Sequence, residues 1–358
     1  MPVKPAPFDT RKFINTAQAG GIEQYALDEG HSRGVRALCV NTGGGLRYRV
    51  LADRGLDIDQ AFSNEHSLTF LAHKGVTPPT RALDRGLDWL KGFPVGLLTT
   101  GGPFNNGGPC VDDGAELGLH GEHSNTAATI ESVVQPDPHA GQMQMSITGS
   151  IRYGAFYGPN VQLRRTITST LGGNDIRFVD EVHNAGNTTV PHAWLLHVNF
   201  GYPLVDQGAE LCCNTTKVEP MDNDPSRAIF ASDHDWRRVP QPMRRHSGDT
   251  SGVGYLFPRP LDRAGNTTVA IVNRKLSLGV AIHYSTRDFS RCGNWQHWGT
   301  GEYVTALEPM TGTVDGRDKD RARGLLRFLK PGEKKVYRYT FEVVTNRRRI
   351  EELRKLNK

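Results

Sequence analysis

Thirteen histidines stand in a chain of 358 residues, and several share short clusters with carboxylates, asparagines and glycines. An imidazole beside a carboxyl can give and take protons near neutral pH, so these clusters are where chemistry is sought first. The first is Leu117-Gly-Leu-His120-Gly-Glu-His123-Ser-Asn125, whose glycines let backbone and ligand approach closely. It reads as a surface loop with locally bonded histidines or as a metal site of His120, Glu122 and His123, although the spacing is no strong metal signature. The second runs from Pro191 and His192 through His197 and Asn199 to Pro203. In a strand, His197 and Asn199 share a face with Ala193 and Leu195. That fits the rim of a cleft, and equally a core histidine bonded to a backbone carbonyl. In the third, from Trp295 to Gly312, Glu308 ends an apolar strand before Pro309. Apolar neighbours raise a carboxyl pKa and suit it to act as a base. Trp295 and Trp298 offer a flat apolar wall of the kind that suits a sugar ring. The plain alternative is a salt-bridged glutamate and two core aromatics. The fourth, Asp53-Arg54-Gly55-Leu56-Asp57-Ile58, presents a guanidinium on a turn to an oxygen-rich ligand, or forms a structural ion pair.

The elements that must position these residues are mostly strands. Segments 35–40, 46–51, 129–134, 142–153, 161–169 and 176–183 read as β, as do 269–272, 276–284, 303–307, 324–329 and 335–344. Met143, Met145 and Ile147 alternate with Gln144, Ser146 and Thr148, a period of two with one buried face. Residues 8–18 suggest a short helix opening at Asp9. Residues 346–356 read as a helix with Ile350, Leu353 and Leu356 on one face. No composition shift marks a linker. The expected organisation is an N-terminal extension over 1–30, a single all-β domain of two packed antiparallel sheets over 31–345, and a basic C-terminal helix over 346–358.

Composition narrows the function classes. The 40 glycines and 21 prolines lack collagen periodicity, and a 37% hydrophobic content supports a large core. The net charge is only +5, and six basic residues fall in the last twelve, so neither nucleic acid nor a membrane surface is an expected partner. The five cysteines include no C-x-x-C pair, which argues against a zinc ribbon or a disulfide framework. The first residues contain no apolar segment of a signal peptide, and no apolar run would span a membrane. A cytoplasmic protein is expected. A nucleophile elbow, a phosphate-binding loop and a zincin helix are all missing from the sequence.

Taken in order, Arg54-Gly-Leu-Asp57-Ile58, Gly96-Leu-Leu-Thr-Thr-Gly-Gly102, Leu119-His120-Gly121, His197-Val-Asn-Phe-Gly201, Leu307-Glu308-Pro309 and Gly316-Arg317 carry a resemblance. The chain resembles the galactose mutarotase-like superfamily, specifically an uncharacterised branch of the aldose 1-epimerase family. The resemblance implies a large antiparallel β-sandwich with a sugar-binding cleft on one sheet. It implies that His197 protonates the ring oxygen, that Glu308 removes the anomeric hydroxyl proton, and that His120 binds sugar hydroxyls. Arg54, Asn106, Asn199 and Trp298 complete the expected substrate-binding set. Family members carry an Asn-Arg dipeptide upstream of the first histidine. Here Phe104-Asn105-Asn106-Gly107 has no arginine, which leaves Arg54 to supply a cation. Asp233 and Asp235 are the candidates for the family's later sugar-binding aspartate. The expected activity is anomer interconversion on a small sugar, without a cofactor and with a homodimer allowed. The alternatives are an isomerase or lyase on a keto- or otherwise modified sugar, assisted by a divalent metal, and a non-catalytic carbohydrate-binding protein.

Overall fold

The computed structural model describes residues 8–243 and 251–358. Residues 1–7, which include the segment read for a signal peptide, lie outside the described residues. Two large antiparallel sheets face each other. The first runs Gly21–Ala26, Arg36–Asn41, Leu46–Leu51, Asp57–Ser63, Leu98–Gly101, Leu195–Phe200, Glu302–Met310, Arg291–Gly299, Gly252–Leu256, Val218–Pro220. The second runs Thr129–Val134, Gln144–Gly154, Asn160–Thr170, Asp175–Asn184, Lys334–Val344, Leu278–Ser285, Asn266–Asn273, Glu210–Cys213.

Alternation decides which side chains enter the core between the sheets. Val50, Ile58, Leu98, Leu196, Val198, Phe200 and Leu307 come from the first sheet, and Ile147, Leu163, Ile167, Phe178, Ile271, Ile282 and Phe341 from the second. One ionic cluster crosses this core. The guanidinium of Arg165, on the second sheet and fully buried, donates to Asp180 at 2.7 Å and to Asp57 of the first sheet at 2.9 Å. Nη2 also donates to the Thr100 hydroxyl at 3.1 Å. Charges taken out of water at this cost persist only when paired and hydrogen-bonded.

The ends of the chain differ in part from expectation. Residues 8–18 form two 3₁₀ turns, Thr10–Lys12 and Thr16–Gln18, rather than one helix. Asp9 caps the first, but Asn15 accepts from the Ala17 N–H and opens a second turn, and Ile14 points to solvent with nothing to pack on. Gly21–Ala26, from the segment assigned to the extension, pairs along its length with Arg36–Asn41. The expected strand over 324–329 is shortened to Arg327–Leu329, because Arg317–Ala322 is helical and Gly324 turns the chain at φ 68°. The terminal helix Arg347–Arg354 is capped by Asn346 and packs Ile350 and Leu353 on Cys212, Ala270, Val272 and Ala281. No helix among the described residues is long and apolar enough to cross a membrane.

Candidate active site

Strand Leu195–Phe200 sends Leu196, Val198 and Phe200 into the core. Its odd-numbered residues Leu195, His197 and Asn199 therefore point out of the other face of the sheet. The neighbouring strand Glu302–Met310 pairs Leu195 with Met310 and Val198 with Leu307. That register sets His197 opposite Glu308, and cross-strand partners on one face bring their side chains together. Pro309, lacking an N–H, explains the gap in the ladder there. On the other side Glu308 faces Gly293. A Cβ at Gly293 would stand 3.2 Å from Glu308 Oε2 and 2.6 Å from the Met310 methyl, so glycine makes room for the carboxyl.

His197 Nε2 lies 3.5 Å from Glu308 Oε1, and both side chains are buried, at 8% and 2% exposure. His197 Nδ1 and Glu308 Oε1 have no hydrogen-bond partner among the described residues. Buried polar atoms without partners are rare and point to a ligand's place. Burial lowers the His197 pKa to about 4, against a smaller opposing pull from Asn199, and raises that of Glu308 to about 8. Near neutrality the apo pair is thus a free imidazole beside a carboxylic acid.

His120 arrives on a different loop, in the left-handed region at φ 56°. Its Nδ1 accepts the Gly107 N–H at 3.2 Å, which leaves the proton on Nε2. Gly107 is required there: it sits at φ 77°, and a Cβ would lie 1.9 Å from the Val314 carbonyl oxygen. Burial, and secondarily the nearby His197, lower the His120 pKa to about 3, so it serves as a neutral donor. The rings of His120, Phe93 and Trp295 stand 5.7, 5.3 and 5.6 Å from that of His197. Asn199 donates from Nδ2 to the His197 and Val95 carbonyls, at 3.0 Å each. It thereby ties the active strand to Val95, a β-branched residue held at φ 66°. A cavity of about 560 Å³ opens above these groups, walled by Phe70, Trp89, Phe93, Leu119, Val253 and Trp295. A wider cleft of about 710 Å³ lies on the outer face of the second sheet. Among the described residues the only imidazole lining it, His283, is already bonded to Thr268 and Glu342, whereas the smaller cavity holds His197 and Glu308.

Of the expected site residues, His197, Glu308 and His120 converge, and Asn199 supports them from beside the His197 ring. Three others are placed differently. Trp298 buries its ring in the core against Tyr303 and donates to Gln296. Three positions from Trp295 in one strand, it must face the opposite side. Arg54 lies behind the cavity, donating to Asn125 Oδ1 and the Gly92 carbonyl at 2.8 Å each. It braces the turn that carries the wall and does not line the cavity. Asn106 is buried beside Gly101 with both amide atoms unpartnered, and it does not line the cavity, although Gly107 does. His123 is also in the core, where Nδ1 meets the Tyr153 hydroxyl, so it does not join His120 and Glu122 around a metal. Among the described residues no group of three His, Cys, Asp or Glu could hold a metal ion. Asp233 and Asp235 are exposed outside the cavity. Sequence reasoning missed Trp89, Phe93 and Phe70. Their signal was aromatic residues in a Gly- and Pro-rich stretch, which periodicity does not single out.

A two-sheet antiparallel sandwich of this kind is the fold of galactose mutarotase-like proteins. The chain belongs to the family described as a domain of unknown function, DUF4432, whose model matches residues 32–343. No curated protein matches it. Among solved structures, it is similar to a protein provisionally assigned as an aldose 1-epimerase from Klebsiella pneumoniae, with 22% identity and a TM-score of 0.83, covering 96% of this chain and 89% of that one. A galactose mutarotase-like protein from Clostridium acetobutylicum aligns at 12% identity and a TM-score of 0.60, over 90% and 98% of the two chains. A galactose 1-epimerase from Lactobacillus acidophilus gives 10% and 0.59, over the same shares. At these identities the likeness concerns the fold.

Proposed function

We propose that the protein is a carbohydrate isomerase of the aldose 1-epimerase type, interconverting the α and β anomers of a sugar. The observation that carries this is the His197–Glu308 pair, buried, unpartnered and facing one cavity. Anomer exchange needs one group to protonate the ring oxygen while another takes the proton of the anomeric hydroxyl. A free imidazole with a carboxylic acid and an imidazolium with a carboxylate hold the same number of protons. The pair therefore offers one donor and one acceptor in either form. In the charged form, His197 gives its proton to the ring oxygen and Glu308 takes the hydroxyl proton. The C1–O5 bond breaks as the C1 carbonyl forms. Rotation about C1–C2 and reclosure with the roles exchanged deliver the other anomer and restore the pair. His120 Nε2–H donates to a ring hydroxyl, and the aromatic walls exclude water. The fold of aldose 1-epimerase and mutarotase-like structures supports this reading.

The test is anomer exchange on a panel of aldohexoses, 6-deoxyhexoses, pentoses and reducing disaccharides, followed by polarimetry or NMR. At least one sugar should equilibrate faster with protein, and Glu308→Gln should abolish the acceleration. A panel on which nothing is accelerated refutes the reading.

A further inference from the structure

The cavity is longer than one sugar ring. Glu308 and Glu302 both line it and lie on one straight strand, Glu302–Met310, six residues apart. At 3.3 Å per residue their backbones are separated by roughly 20 Å. A pyranose spans less than half of that. The floor between the two ends carries aromatic rings. Trp295 stands next to His197, and His297, two residues further along the same face, holds its ring parallel to that of Trp295, with centroids 6.3 Å apart and planes at 2°. Val304 lies across from His297 and continues the apolar floor. The outer end turns polar again. Glu302 meets His297 Nε2 at 2.8 Å and His73 Nε2 at 3.1 Å, and His73 is exposed at the cavity mouth. Polar groups thus stand at two places along one apolar trough, which is the pattern that fixes both ends of a ligand.

We infer that the substrate is a reducing disaccharide. This rests on the epimerase reading above and extends it. The reducing ring sits at His197 and Glu308. The second ring lays its C–H face against Trp295 and His297 and turns its hydroxyls toward Glu302 and His73. The linkage between the rings crosses the trough beside Trp295, next to His197.

The experiment is calorimetric binding of lactose, maltose, cellobiose and melibiose, each compared with glucose, the monosaccharide of its reducing end. At least one disaccharide should bind tenfold or more tightly than glucose, and Glu302→Gln should cut that ratio at least threefold. Val304→Trp, which fills the trough beside the ion pair while keeping both of its members, should bring the ratio to near one. Ratios below two for all four disaccharides overturn the inference, as does a ratio that neither variant changes. The two readings fail separately. A protein that exchanges glucose anomers without preferring a disaccharide keeps the epimerase reading and loses this one. Tight disaccharide binding without anomer exchange keeps the two-ring cavity and refutes the epimerase.

Discussion

The Glu308 carboxyl should cost the folded protein stability as pH rises, and Glu308→Gln should recover it. Burial raises the Glu308 pKa from 4.5 to about 8. A group whose folded-state pKa lies above its unfolded value contributes fully below the unfolded value, and that contribution is lost as pH rises toward the folded value. The window is therefore pH 4.5 to 8. The shift of about 3.5 units, at about 1.4 kcal/mol per unit, corresponds to roughly 5 kcal/mol. Integrated over the window, wild type should fall behind the glutamine variant by about 1 kcal/mol at pH 5, 3 at pH 7 and 5 at pH 9, relative to their difference at pH 3. The carboxyl is 2% exposed, so solvent screening takes little from these figures. His197, whose pKa moves the opposite way, is present in both proteins and cancels in the comparison. Urea unfolding followed by tryptophan fluorescence at the four pH values gives the difference directly. A stability difference that stays flat with pH would show that the carboxyl is hydrated or paired in the folded state, and the proton inventory proposed for the site would fall with it.

Other consequences are simpler to check. The rate constant kcat/KM for anomer exchange should be bell-shaped in pH: below about 4 His197 is protonated and the pair lacks an acceptor, whereas above about 8 Glu308 is ionised and the pair lacks a donor. A single sigmoid would contradict this. Trp298→Ala should lose about 3–5 kcal/mol of stability in a urea titration, as expected for emptying a core site, whereas Trp295→Ala should chiefly weaken sugar binding. Arg165→Met should destabilise the fold by about 3–5 kcal/mol, because Asp57 and Asp180 stay buried without their cation; a loss under 1 kcal/mol would mean that the carboxyls are neutral.

The sequence conveyed the sandwich because its long strands alternate cleanly, as in Met145, Ile147 and Ile151 facing inward along Gln144–Gly154. It conveyed His197 and Glu308 through short ordered motifs, but not the register that makes them neighbours, which joins residues 111 apart in the chain. Arg54 was misread for a related reason. Its partners, Asn125 and Gly92, lie 71 and 38 residues away, and nothing local distinguishes a guanidinium that braces a turn from one that awaits an anion. Trp298 is a different case. The segment Trp295-Gln-His-Trp298 carries aromatic or polar groups at every position, so hydrophobic alternation gives no phase. Strand parity alone separates the two tryptophans, and it applies only once the strand Arg291–Gly299 is recognised.

The cavity divides its parts between the sheet and the loops. His197 and Glu308 sit on adjacent strands with further strands paired on both sides, and a packed core lies behind them. Such positions hold reacting groups with little freedom. The walls come from elsewhere: Phe70 and Val95 from a two-residue ladder, Trp89 from a four-residue helix, and Leu119 and His120 from a loop. These pieces are fastened to the sheet at few points, among them the Asn199 bond to the Val95 carbonyl and the Thr99 hydroxyl bond to the same oxygen at 2.8 Å. A change in wall residues can therefore reshape the cavity while the proton-transfer pair keeps its register. Residues on regular strands leave a periodic trace in the sequence and loop-borne wall residues do not. On the proposed reading, the proton-transfer pair thus belongs to the sheet, and the shape offered to a sugar to the loops laid over it.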